Sequence, residues 1–225
     1  MAIFNTVYGG EPKWKPWSNT IAYYPLKWNL NDYSWHNYNW TLAVWTLTYP
    51  SNEYAQLTNV VARFPNWYWT STTDEMTISM RLKDVSTSGS GWTSNLFALW
   101  LDGEGGWWWG FQLYYNNWNY TAYAVTWWAS KNTSAYSISS WVWHNIIMTI
   151  KPNDKLSLYI DWNLKNQVDV TSPIRMSWHS WIWTNSYTNN APTISWYLSN
   201  IINENKVRTV DEITKYYNST KANYS

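Results

Sequence analysis

Seven consecutive residues, Met76-Thr77-Ile78-Ser79-Met80-Arg81-Leu82, put Met, Ile, Met and Leu on one side of an extended chain and Thr, Ser and Arg on the other. A period of two is the pattern of a strand with one buried and one wet face; a helix would scatter the same apolar groups around its circumference. Similar runs rich in Val, Ile, Thr and Tyr recur at Ile21–Leu26, Glu53–Leu57, Leu96–Leu101, Phe111–Tyr115, Tyr120–Val125, Trp143–Ile150, Lys155–Ile160 and Tyr197–Asn203. They are separated by Asn, Ser, Asp and Trp clusters. Many strands with polar turns and almost no helix restrict the architecture to a sandwich or barrel.

At 225 residues the chain is long enough for one such domain. The expected organisation is an arm or linker over residues 1–19, a β-sandwich over 20–217 and a polar tail over 218–225. One short helix is expected near the C-terminus, where Thr209 offers a cap, Asp211 and Glu212 are early acids, and apolar residues follow at helical spacing.

The placement of tryptophan is anomalous. The chain has 23 Trp and 8 Gly, whereas in average proteins glycine is about 7% of residues and tryptophan is rare. Many tryptophans follow Asn, Asp or Ser, as in Asn39-Trp40, Asn66-Trp67, Asn117-Trp118, Asp161-Trp162, Ser34-Trp35, Ser177-Trp178, Ser180-Trp181 and Ser195-Trp196. Tight hairpins favour glycine there because their central residues need positive φ. Gly105-Gly106-Trp107-Trp108-Trp109-Gly110 likewise reads as an all-glycine loop. The expectation is that most of these tryptophans are glycines in the natural protein, decoded from UGA codons. The alternative is a Trp-rich protein whose indoles form stacking platforms. Trp100 and Trp143 lie inside apolar strand patterns and are kept as tryptophan.

With the turn tryptophans read as glycine, four motifs resemble laminin-G-like domains of the concanavalin A-like lectin and glucanase superfamily. Ile21-Ala22-Tyr23-Tyr24-Pro25-Leu26 with Asn29-Leu30-Asn31-Asp32-Tyr33-Ser34-Trp35-His36 is similar to the opening strand and its Asp-x-Ser-Gly turn. Val142-Trp143-His144-Asn145-Ile146-Ile147-Met148-Thr149 followed by Leu156-Ser157-Leu158-Tyr159-Ile160-Asp161-Trp162 is similar to the Trp-His strand and Leu-Tyr-x-Asp-Gly hairpin, and is the most specific signal. Trp196-Tyr197-Leu198 resembles the late Gly-x-Leu strand, and Glu212-Ile213 with Tyr216-Tyr217 the closing helical turn. The resemblance implies an antiparallel two-sheet jelly-roll sandwich, mostly used for recognising glycans or proteins and in some members using calcium.

The residues themselves exclude several classes. Lys and Arg total 15 against 14 Asp and Glu, a net charge of +1 without long single-sign runs, so charge does not recruit nucleic acid or anionic lipid. The absence of cysteine removes disulfides, thiol nucleophiles and Cys-based zinc sites. No run of about 18 apolar residues suits a membrane span, and the first residues lack a signal-peptide pattern. Glycosidic hydrolysis needs two carboxyls about 5 to 9.5 Å apart, and no Glu-x-Asp-x-x-Glu spacing occurs. His36, His144 and His179 lack metal-motif spacing; His144 is expected to point outward beside a core Trp143.

The candidate ligand residues are therefore on loops. Asp102 and Glu104 follow a strand and precede the glycine-like loop, where a binding or merely solvated role stays open. Tyr114, Tyr115, Tyr120 and Tyr123 flank Asn116-Asn117 and offer rings for sugar stacking or simply surface cover. The ligand-binding set is Asp102, Glu104, Tyr114, Asn116 and Asn117. Calcium is the cofactor left open, with oxygens from Asp102, Asn116 and Asn117. The sequence points to a non-catalytic adhesion module for a glycan or surface protein, placed on a cell or virion surface. A structural or phage-tail assembly domain docking through residues 1–19 is the competing class, and a glycoside hydrolase the third.

Overall fold

The computed structural model describes residues 19–26, 29–44, 47–51, 54–58, 61–63, 75–84, 93–100, 111–116, 119–125, 130–172, 179–183 and 195–220. Residues 1–18 and 221–225, and with them almost all of the expected arm, lie outside these.

The alternating run beginning at Met76 becomes β6 (Met76–Asp84), and it pairs on both sides. One sheet runs β14 (Asn163–Asp169), β13 (Lys155–Ile160), β12 (Trp143–Ile150), β6, β16 (Ser195–Glu204), β4 (Tyr54–Thr58) and β3 (Leu47–Ser51). β1 (Thr20–Tyr24) joins it along β16. The other sheet runs β10 (Ser130–Asn132), β9 (Asn119–Val125), β8 (Phe111–Asn116), β7 (Thr93–Trp100), β15 (His179–Trp183), β5 (Val61–Arg63) and β2 (Thr41–Val44), with β11 (Tyr136–Ser137) beside β9. Every pairing among the described residues is antiparallel. The chain is an all-β sandwich with one short helix, α1 (Val210–Thr220).

The sheets meet through their apolar faces. Met76, Ile78, Met80 and Leu82 of β6, Ile146, Met148 and Ile150 of β12 and Leu156, Leu158 and Ile160 of β13 share a core with Leu113, Tyr120, Ala122 and Ala124 of the opposite sheet. Trp196 is fully buried there, and its indole N–H donates to the Tyr120 hydroxyl at 3.0 Å. Tyr120 is thus a core residue and not surface cover.

Two expectations about β12 are corrected. His144 is buried and Trp143 is half-buried on the opposite, outer face, because the strand's inward parity runs through His144, Ile146, Met148 and Ile150. The His144 ring is satisfied inside, with Nδ1 2.7 Å from Asp161 Oδ2 and Nε2 3.2 Å from the Ser139 carbonyl.

The turn tryptophans differ in backbone geometry. Asp161 and Trp162, joining β13 to β14, both have positive φ, 48° and 68°, the requirement of a two-residue type I′ hairpin. Trp141 is also left-handed, at φ 65°. Trp35, Trp40, Trp181 and Trp196 are not among the positive-φ residues, so the turn argument applies at some Asn/Asp/Ser-Trp pairs and not at others.

The helix starts where its cap predicts. Thr209 Oγ1 accepts from the Glu212 N–H at 3.2 Å while the Glu212 carboxylate accepts from the Thr209 N–H at 2.9 Å, a reciprocal capping box. It continues through Thr220, past the expected end at Tyr217. Ile213 and Tyr216 dock on Ile147, Tyr159 and Trp162, a small second core on the outer face of the β6 sheet.

Candidate ligand-binding face

The helix covers one half of that outer face, over Thr77, Ser79 and Ile147. The face then continues along the same strands into a different composition. Arg81 and Lys83 follow on β6, Trp143 and Asn145 on β12, Tyr197 and Ser199 on β16, and Tyr54 and Gln56 on β4. The register aligns them: Lys83 sits opposite both Trp143 and Tyr197, Arg81 opposite both Asn145 and Ser199, and Gln56 opposite Tyr197.

Three rings gather here. Tyr54 stacks on Tyr197 with centroids 4.7 Å apart and meets the Trp143 edge at 5.3 Å, while Trp143 and Tyr197 lie 6.5 Å apart. The Arg81 guanidinium carbon lies 4.5 Å from the Trp143 ring centre, and Lys83 Nζ 5.7 Å from that of Tyr197. Both distances are within cation–π range. The three rings, both cations and Asn145 are all half-buried, so each is partly open. Rings bordered by amides and cations can stack on a flat apolar ligand surface while hydrogen-bonding its polar rim.

Two other polar clusters are structural. The Asp32 carboxylate, 5% exposed, accepts from the N–H groups of Tyr23, Ser34 and Tyr38 at 2.8, 2.8 and 2.9 Å and from the Ser34 hydroxyl at 2.6 Å. Those four bonds use its acceptor capacity and pin the loop after β1. Burial pushes the Asp161 carboxyl up, but the His144 bond, the Asn145 N–H and the nearby charges of His144 and Lys165 outweigh it and hold it below the ordinary aspartate value.

Beneath α1 a recess is lined by Thr77, Ser79, Ile147, Glu204, Arg208 and Tyr216 among others. Glu204 and Arg208 form a buried bidentate ion pair there. Burial pushes the Glu204 carboxyl up, and Arg208 reverses only part of that. The Thr77 hydroxyl donates to the Lys206 carbonyl at 2.6 Å and accepts from the Arg208 N–H at 3.0 Å. These groups are committed to anchoring the connection between β16 and α1.

Of the sequence-predicted ligand residues, Asp102, Glu104 and Asn117 lie outside the described residues. Tyr114 and Asn116 are on β8, paired with Thr121 and Asn119 of β9. The residues named for calcium therefore have only Asn116 described, and among the described residues no group of three or more His, Asp and Glu converges as metal ligands. Sequence reasoning missed the β6-sheet face. Its one legible signal was Arg81 on the wet side of an alternating strand.

No protein-family model and no curated protein matches the chain. Solved structures do. Botulinum neurotoxin type C, which enters cells in dependence on interaction with two ganglioside molecules, matches with a TM-score of 0.73 at 13% identity, over 89% of this chain and 51% of that one. The binding domain of botulinum neurotoxin DC matches in complex with SialylT, at TM-score 0.73 and 12% identity over 90% of this chain and 52% of that one. The same domain in complex with rat synaptotagmin II matches with TM-score 0.73 and 12% identity, over 89% and 51%. The chain spans about half the length of these structures. At such identity the likeness establishes one thing, that this chain and the matched half of those domains share a β-sandwich fold.

Proposed function

We propose that the chain is a non-catalytic recognition module that binds carbohydrate on the outer face of the β6 sheet, with Tyr54, Trp143 and Tyr197 as its stacking surface. The observation that carries this reading is the gathering of three partly open rings from three strands beside Asn145 and Gln56. Cross-strand ring pairs add some sheet stability by themselves, but a contiguous cluster of partly open rings rimmed by polar groups marks an interaction site. The fold shared with binding domains solved in complex with SialylT and with rat synaptotagmin II supports a recognition role. A display site on a cell or virion surface belongs to the same reading.

Isothermal titration against the best binder from a saccharide array tests it. Trp143→Ala and Tyr197→Ala are expected to weaken binding by about tenfold or more, equivalent to about 1.4 kcal/mol, with the thermal transition retained. Unchanged affinity in both folded variants refutes the site. A second set, substituting Asp102, Glu104, Tyr114, Asn116 and Asn117, tests our separate proposal that the loops contribute ligand contacts or calcium.

We also propose laminin-G-like kinship, with glycine at many written tryptophans in the natural protein. The left-handed backbone at Trp141 and Trp162 supports this. Peptide mass spectrometry of native material at positions 35, 141, 162 and 196 reads the residue directly, and tryptophan at all four refutes it. The proposed binding face uses Trp143, which a strand pattern places, and none of the turn tryptophans.

A further inference from the structure

We infer that His144 and Asp161 are positioning residues of the saccharide face, which binds with full affinity only while the His144 ring carries both of its N–H protons. The inference rests on the carbohydrate reading above and adds the device that holds its site in shape. Trp143 and Asn145, two of the face's contacts, flank His144 in sequence and point to the other side of β12. Asp161 grips this stretch at two points: its N–H donates to the Asn145 carbonyl at 2.8 Å and its Oδ1 accepts from the Asn145 N–H at 3.0 Å. Its Oδ2 meets Nδ1 of His144, while Nε2 meets the Ser139 carbonyl and closes the turn of residues 139–142 that leads directly into Trp143.

A carboxylate and a carbonyl both only accept, and a neutral imidazole has one N–H. The two contacts therefore coexist only in the imidazolium. A neutral ring that keeps its proton toward Asp161 turns a lone pair on Ser139 and releases the turn; the other tautomer turns a lone pair on the carboxylate. Either way the stretch carrying Trp143 loosens, and a ligand must remove that freedom on binding, at a cost in affinity. Among the described residues, the charged groups around the ring are Asp161 and, beyond it, Lys165, whose Nζ lies 4.7 Å from the centre of the Tyr136 ring. On β6 the residue opposite His144 is the apolar Leu82, and the adjacent Arg81 and Lys83 project to the other face. Asp161 keeps its negative charge across the range in which histidine changes state, about pH 5 to 8, because its carboxyl is held below the ordinary value. Affinity should thus fall as pH rises through that range.

The test takes the neutral saccharide that binds best on the array, so that the ligand itself does not titrate, and measures its affinity for the full chain from about pH 5 to about pH 8. We expect binding about threefold or more weaker at the upper end, the scale of one lost hydrogen bond. His144→Gln should remove the dependence. Asp161→Asn should reverse it: the amide keeps Oδ1 for the Asn145 N–H and donates to a neutral Nδ1, leaving Nε2–H on Ser139, so the clamp survives deprotonation. Asparagine also tolerates the left-handed backbone there, φ 48°. A merely structural role would lower the thermal transition of both variants and leave the pH profile unmoved, which overturns the inference. Affinity of the unaltered chain that stays level across the range overturns it too and leaves the carbohydrate reading standing. No saccharide binding at any pH overturns both readings. Should His144→Gln fail to fold, the ring resonance of His144 in the unaltered chain must titrate with the same midpoint as affinity, and a different midpoint overturns the inference.

Discussion

Trp35 and Trp141 both follow serine and are both exposed, at 77% and 55%, yet replacing each by glycine should move stability in opposite directions. Trp141 has φ 65°, where the Cβ of an L-residue costs roughly 1–2 kcal/mol. Glycine removes that cost and adds back about 0.5–1 kcal/mol through the freedom it gives the unfolded chain. With little packing lost from an exposed indole, Trp141→Gly should stabilise by about 0.5–1 kcal/mol, raising Tm by roughly 1–4 °C for a chain of this size. Trp35 has no left-handed strain to relieve, so Trp35→Gly should lose about 0.5–1 kcal/mol. Urea unfolding followed by far-ultraviolet circular dichroism avoids confusing lost indole fluorescence with lost structure, and equal m-values would license the comparison. The reasoning is refuted if Trp141→Gly is the more destabilising of the two. Trp162 is a poorer probe, because the same strain is opposed by its packing on Tyr216, 5.5 Å between ring centres.

Other outcomes follow from the ordering of α1 and the His144 hairpin. Thr209→Ala breaks the capping box and should cost about 1 kcal/mol, read as a lowered urea midpoint. Arg208→Ala leaves the buried Glu204 carboxyl without its cation and should cost about 3–5 kcal/mol, whereas Glu204→Gln with Arg208→Met should recover most of it; equal losses in both refute the pairing argument. Because the Asp161 carboxyl is held below its ordinary value, its contribution to stability is present above the unfolded aspartate range near pH about 4 and is lost as pH falls through the lower folded value. Asp161→Asn should flatten the acid limb of a stability–pH curve, and an unaltered limb would show that the His144 contact carries no linkage.

How much of this was legible in sequence depends on whether one face or two faces of a strand are buried. β13 was readable to its ends, and β6 declared its inward face, because Thr77, Ser79 and Arg81 interrupt the apolar set. β12 was readable in extent but not in parity. Its outer positions include Ile147, which α1 buries, so both parities carry apolar residues and a nearby Trp-His pair could be assigned either way. Polar edge strands such as β14, with the burial of Asn163–Asp169 mostly exposed or intermediate, carry no apolar signal to read. The ligand face is further removed still, since Tyr54, Lys83, Trp143 and Tyr197 become neighbours only through cross-strand register.

That same register explains why the face divides as it does. Along β6 and β12, the outer residues under the helix are Thr77, Ser79, Ile147 and Thr149, small or aliphatic groups over which a helix can approach closely. Beyond its reach the next outer positions on the same strands are Arg81, Lys83, Asn145 and Trp143. Larger side chains at those four positions would lift α1 off Tyr159 and Trp162, the rings on which its Ile213 and Tyr216 pack. The change of side-chain size at the helix boundary therefore separates two jobs on one sheet, holding the helix and presenting a surface. Moving the helix footprint by truncating Ile213 or Tyr216 should disturb the first and spare the second: stability should fall while saccharide affinity of the folded fraction holds. A parallel loss of affinity would mean that α1 shapes the binding face after all.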